Sequence, residues 1–294
     1  MTTVLLFIGG AILGSFINVV TRRYDGTASV WSILRLGGRS RCESCGATLG
    51  VCELIPIVSF ILQRGRCKRC RAKLSWQYPL VEIVSGLIVA GFPLSFGNYF
   101  MISQRALLGT SLAWFWYTMV IWICAALALL TLALIDVRLK IIPDELTILI
   151  AILGIAAIAG GGAFHTFGQV EGSFFETYAS IFGMRQNIVL NYGFAALAGL
   201  LIFGVIFFVT RGKGIGLGDV KLAGALGLLF GWPDALLLFV FASFVGALAG
   251  LLLLIFRHGT MKDTIPFGPF LALGAFLVWF YGNSFVSWYF GLFV

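Results

Sequence analysis

The chain has 294 residues; 60% are hydrophobic, only 11% are charged, mean hydropathy is +1.01 and the formal net charge is +8. A soluble globular domain carries about 25% charged residues, so a water-soluble enzyme, a disordered protein and a soluble nucleic-acid binder are all poor readings. About 20 apolar residues cross a bilayer as a helix, and that pattern recurs along the chain, so the sequence reads as an all-α polytopic membrane protein.

Eight spans are expected, over residues 2–20, 79–97, 112–135, 146–162, 188–209, 220–232, 235–256 and 268–291. The first has no charge before it and Arg22 and Arg23 after it, the reverse of a signal peptide, so it reads as a retained helix with its N-terminus outside. The sixth is short and is split from the seventh by Gly231-Trp232-Pro233-Asp234. Alternating through eight spans from an outside start puts 18 of the 20 Lys and Arg residues in cytoplasmic segments. Only Arg105 and Arg185 fall outside, which is a positive-inside pattern. Trp31, Trp76, Tyr78, Trp288 and Tyr289 at span ends suit an interfacial belt. The organisation expected is a first transmembrane helix over 1–20, a cytoplasmic metal-binding domain over 21–78 and a transmembrane core over 79–294. No internal repeat is read, and the outer loop over 163–187 carries no motif.

The cytoplasmic loop holds Cys42-Glu43-Ser44-Cys45, then Cys67-Lys68-Arg69-Cys70. Two CxxC knuckles supply four thiolates, the full tetrahedral shell of a structural zinc ion. Arg41, Arg66, Lys68, Arg69 and Arg71 offset the charge of such a site. A cytoplasmic side disfavours disulfides, and a loop this poor in apolar residues needs a metal staple. Reduced cysteines or redox pairs are the plainer reading. Cys52 and Cys124 have no ligand spacing and read as buried thiols; His165 and His258 stand alone.

Six Asp and six Glu residues are present in all, so each can be weighed. Asp136 ends the third span and Asp219 opens the sixth, both at the cytoplasmic end of a helix. Ionisable groups at membrane depth face the bundle interior. Two carboxylates brought together share a proton, so one can activate water while the other protonates a leaving amine. The glycines before Asp219 allow a bend and leave room for a substrate strand. The plainer alternatives are a helix cap at Asp219 and an interfacial pair of Asp136 with Arg138. Asp144 reads as a helix N-cap, and Glu82, buried early in the second span, as structural or as the lining of a polar site.

Several blocks together resemble the type IV prepilin peptidases, the prepilin leader peptidase/N-methyltransferases. They are Gly14-Ser15-Phe16-Ile17-Asn18-Val19-Val20, the cysteine segment from Arg39 to Cys70, and Tyr78-Pro79-Leu80-Val81-Glu82. Ile135-Asp136 with Ile142-Pro143-Asp144-Glu145, the GxGD block Gly216-Leu217-Gly218-Asp219, and Ile265-Pro266-Phe267-Gly268-Pro269 follow in order. The resemblance runs from about residue 9 to 275. It implies cleavage of the basic leader of type IV prepilins or type II secretion pseudopilins, at the cytoplasmic face of a bacterial inner membrane, by Asp136 and Asp219. It also implies N-methylation of the exposed residue with S-adenosylmethionine, although no methyl-transfer motif is legible and no GxGxxG opens a helix. The implied partners are pilin precursors and membrane lipids, with no nucleic acid. Glu43 stands where many members have Pro, and Thr21-Arg22-Arg23-Tyr24 and residues 24–38 also depart from the pattern. A peptidase without methylation, a transporter or channel, and an assembly scaffold are the rival readings. A transporter would leave the cysteines without a purpose and would show two related halves.

Overall fold

The computed structural model describes residues 1–27, 29–32, 37–106, 112–163, 188–256 and 265–292. It is helical: α1 (Thr2–Arg23), α2 (Val58–Leu62), α3 (Gln77–Ala106), α4 (Leu112–Leu139), α5 (Asp144–Ala163), α6 (Ile188–Thr210), α7 (Leu217–Phe230), α8 (Asp234–Phe256) and α9 (Gly268–Gly291). Among the described residues there is no strand, only isolated bridges at Arg41–Thr48 and Arg66–Lys73. All eight expected spans are helices. Six of them, α1, α3, α4, α6, α8 and α9, are long and apolar enough among the described residues to cross a membrane. The chain is a multi-pass membrane protein. Most of the expected outer loop (164–187), together with His165, His258, Arg185, Arg257 and Lys262, lies outside the described residues.

The chain forms two compact units, Met1–Leu108 and Gly109–Val294. In the first, α1 packs along α3. Gly10 and Gly14 let the backbones meet: a Cβ at Gly10 would lie 2.5 Å from the Ser85 carbonyl, and one at Gly14 2.8 Å from Glu82 Cα. Small residues at the seam are the usual way membrane helices gain close packing. Asn18 Nδ2 donates to the Tyr78 carbonyl at 3.2 Å across the same seam. The cysteine loop is tied to these helices by Glu43, which accepts from Arg22 Nη1 at 3.0 Å and from the Tyr78 hydroxyl at 3.3 Å, while Arg22 stacks 4.9 Å over the Tyr78 ring. The departure from the family pattern at Glu43 therefore supplies a latch.

In the second unit α7 is the buried element. It packs against α5 and α6, and nine of its 14 residues are buried. At 1.5 Å per residue it measures about 21 Å, short of the roughly 30 Å of a hydrocarbon core. It is a half-length helix held inside the bundle, which explains why its apolar run is short. A Cβ at Gly227 would stand 2.5 Å from the Ala195 carbonyl, so α6 and α7 meet backbone to backbone.

Cys52 and Cys124 are exposed, contrary to the expectation of buried thiols. Cys124 lies within a span, where the outward surface is as apolar as the interior, so hydropathy does not reveal which way a residue faces.

Candidate active site and metal centre

Asp136 lies in the last turn of α4 and is buried. Its Oδ2 accepts a hydrogen bond of 3.0 Å from the backbone N–H of Gly268, at the first residue of α9, 132 positions away. A helix N-terminus has unsatisfied N–H groups, and a carboxylate is a natural partner for them. A Cβ on Gly268 would stand 2.7 Å from Asp136 Oδ2, so a side chain here would push the carboxylate aside.

Asp219 is the third residue of α7 and is likewise buried. Its Oδ2 accepts from the backbone N–H of Gly216 at 3.0 Å, the side-chain half of a capping box. The capping alternative is thus realised, but by one oxygen alone. Oδ1 is fully buried with no hydrogen-bond partner. An unpaired buried carboxylate oxygen costs roughly 1–3 kcal/mol, so its persistence marks a position kept for something other than stability. Gly218, the residue before Asp219, lies against Ile142, six residues after Asp136, so the two aspartate segments meet.

The chain packs closely on the glycine before Asp219. Gly218 has Ile142 against it, with a Cβ there only 2.9 Å from Ile142 Cβ. The space expected for a substrate strand beside this glycine is filled by the chain itself, which clasps the two aspartate blocks together. Asp144, expected as an N-cap, is the first residue of α5, and its carboxylate accepts from Lys221 Nζ at 2.9 Å through both oxygens. That pair links α5 to α7. Both side chains are more than half exposed, so it is worth at most about 1 kcal/mol.

In the first unit the structure brings Cys42, Cys45, Cys67 and Cys70 together, with all four Sγ atoms within 4.8 Å of one another. Cys42 and Cys70 Sγ are 3.9 Å apart. Metal–sulfur bonds of 2.3 Å in a tetrahedron require sulfur separations of about 3.8 Å, so the donor set fits a four-thiolate metal ion. The Cys67 thiol is lowered to about 7, chiefly by the backbone N–H groups of Cys70 and Arg69.

The two knuckles are copies of one another. Cys42 N–H donates to the Ala47 carbonyl and Cys67 N–H to that of Ala72, both at 2.9 Å. Leu49 N–H reaches the Ser40 carbonyl, and Leu74 N–H reaches that of Gly65. The sequence carries this as Arg41-Cys-x-x-Cys-x-Ala-x-Leu49 repeated at Arg66–Leu74, a short internal repeat that pattern reading missed. At the turn, Gly46 has φ +68° and Arg71 φ +59°, so the second copy carries a non-glycine residue in the left-handed region.

Residues 8–96 match the model of the bacterial peptidase A24 N-terminal domain, and residues 123–251, which contain both aspartates, match that of the type IV leader peptidase family. The chain belongs to the type IV leader peptidase family. A prepilin leader peptidase/N-methyltransferase of Bacillus subtilis is 31% identical over 97% of this chain and 96% of its own length. One of Burkholderia pseudomallei is 31% identical over 94% and 84%. A third, of Aeromonas hydrophila, is 27% identical over 97% and 92%. No solved structure matches the chain.

Proposed function

We propose that the chain is a prepilin peptidase that cuts the leader from pilin precursors with Asp136 and Asp219, and that it N-methylates the new terminus. The observation that carries the peptidase reading is Asp219 Oδ1, buried and unpartnered in a segment that meets that of Asp136, within the leader-peptidase region. Two carboxylates sharing one proton give a base for water and an acid for the departing amine. Water held between them attacks the scissile carbonyl, and the proton passes through the pair to the leaving nitrogen as the tetrahedral species collapses. The Gly268 and Gly216 N–H groups hold the other oxygens still, leaving each carboxylate one way to face the reaction.

The charge pattern supports a reaction at the cytoplasmic face, since Arg138 and Lys140 follow Asp136 and Arg211, Lys213 and Lys221 flank Asp219. The cysteine segment, 21–78, is stapled within the first unit by zinc in a closed and therefore structural site. The names of the relatives support the methyl transfer, which takes its methyl group from S-adenosylmethionine. Incubating the purified protein in detergent with a prepilin tests the peptidase reading. A mass loss equal to the leader is expected. Transport of a solute without any cleavage contradicts it.

A further inference from the structure

Between α1 and α3 the chain leaves large apolar side chains uncovered. Val51, Ile61, Leu62 and Trp76 are 79, 65, 74 and 76% exposed, and Ile55 and Val58 are nearly half exposed. Contact with water is unfavourable for such groups, and a cluster of them on a protein surface marks a place where something else covers it. Two contacts fix this segment against α3. The Phe60 ring of α2 lies 5.0 Å from that of Trp76, the residue just before α3. The Ile57 N–H, just before α2, donates to Glu82 Oε2 at 2.7 Å. Glu82 is the sixth residue of α3, about 8 Å along its axis. The apolar stretch of α3 begins at Gln77, and the headgroup layer on each side of a bilayer is roughly 5–8 Å deep. Ile57 is therefore pinned near the level where headgroups meet hydrocarbon. It takes φ +62°, rare for a β-branched residue, and the Val58 N–H closes a tight turn on the Pro56 carbonyl at 2.6 Å. Such strain persists where the surroundings hold it for a purpose; here the turn sets the course of α2 away from its anchor on α3.

We propose that this face of the first unit is a membrane-docking surface, seated in the headgroup layer at the Gln77 end of α3 and covered there by anionic phospholipid. The apolar side chains of α2 and of the turn at Val51 enter the layer, as those of an interfacial helix do. Charge selects the lipid. From Leu54 to Val81 the chain has six cations, Arg64, Arg66, Lys68, Arg69, Arg71 and Lys73, and no acid. All six are exposed, and none is ion-paired among the described residues. Glu53, the acid just before this stretch, is engaged by the Gly50 N–H at 2.7 Å. A doubly negative four-thiolate zinc site still leaves the segment cationic. Four to eight Lys and Arg residues beside a membrane span are the pattern that gathers anionic headgroups. The same charge argues against the other apolar partners. A prepilin with a basic leader would be repelled, and a second copy of this chain would bring the same six cations.

The test places a photoreactive benzophenone amino acid at Leu62 in one full-length variant and at Val51 in another. Helicity and metal content equal to the parent show that each is folded. Both are reconstituted into vesicles of three parts phosphatidylcholine to one part phosphatidylglycerol, with a prepilin present, and the adducts formed on illumination are weighed by mass spectrometry. Lipid adducts are expected from both positions, with phosphatidylglycerol enriched about fivefold over its share of the vesicle. Combining Arg64→Gln, Arg66→Gln and Lys68→Gln should abolish that enrichment while lipid adducts persist. Adducts to prepilin or to a second copy of the chain, in place of lipid, overturn the proposal and identify the true occupant. Folded variants that give no adduct overturn it as well, because both positions then face water. Lipid adducts without preference for phosphatidylglycerol overturn the anionic headgroup as the partner.

Discussion

The backbone N–H of Gly268 and the carboxylate of Asp136 form a hydrogen bond of 3.0 Å that fastens the end of α4 to the start of α9. The bond fixes one oxygen of a buried acid and leaves no room for a Cβ. Gly268→Ala must displace the carboxylate. A misplacement of this kind costs about 100-fold in catalysis, and leader cleavage should fall by that factor while the cysteine-bound metal is unchanged. Cleavage within threefold of the parent would show that the orientation of Asp136 is unimportant.

The Lys221–Asp144 pair bridges α7 and α5 in exposed positions. Lys221→Met should lower thermal stability by less than about 1 kcal/mol and leave cleavage nearly intact. A large loss of cleavage at unchanged stability would place Lys221 in substrate contact instead.

The left-handed turn at Arg71 carries strain that its counterpart Gly46 avoids. Arg71→Gly should stabilise the second knuckle by about 1 kcal/mol, seen as a higher chelator concentration needed to strip the metal. Gly46→Ala should act in the opposite direction.

Metal retention should depend on pH. Thiolates bind metal, so protons compete with it. The Cys67 thiol is held at about 7, below its ordinary value of 9.0, chiefly by the backbone N–H groups of Cys70 and Arg69. A folded value depressed in this way stabilises the metal-free knuckle fully above about 9, and that contribution is lost as pH falls through about 7. Apparent metal affinity should therefore decline with falling pH and decline more steeply below about 7, as read by chelator competition. A flat profile from pH 5 to 9 would argue against thiolate ligation.

Much of this was legible from residue order alone. Eight apolar runs became eight helices, six of them long and apolar enough among the described residues to cross a membrane, because length and hydropathy are read directly from residue order. The cysteines met because CxxC knuckles are local turns. What stayed hidden was long-range or directional. The Gly268–Asp136 bond joins positions with no shared pattern. The burial of α7 is visible only once α6 and α5 enclose it. Asp219 illustrates the limit most clearly, since capping and proton chemistry both ask for an acid near a helix start, and only the orphaned Oδ1 separates them. The exposure of Cys124 was unreadable because a lipid-facing and a buried position share one composition.

Leader cleavage by Asp136→Asn and by Asp219→Asn tests whether the two carboxylates carry the reaction. Each substitution preserves shape and the backbone N–H contact, and each removes the ability to ionise. Cleavage should fall by roughly 10³-fold or more in both, with helicity and metal content equal to the parent. Trimming of a prepilin at the parent rate by either variant would show that the substituted aspartate takes no part in cleavage.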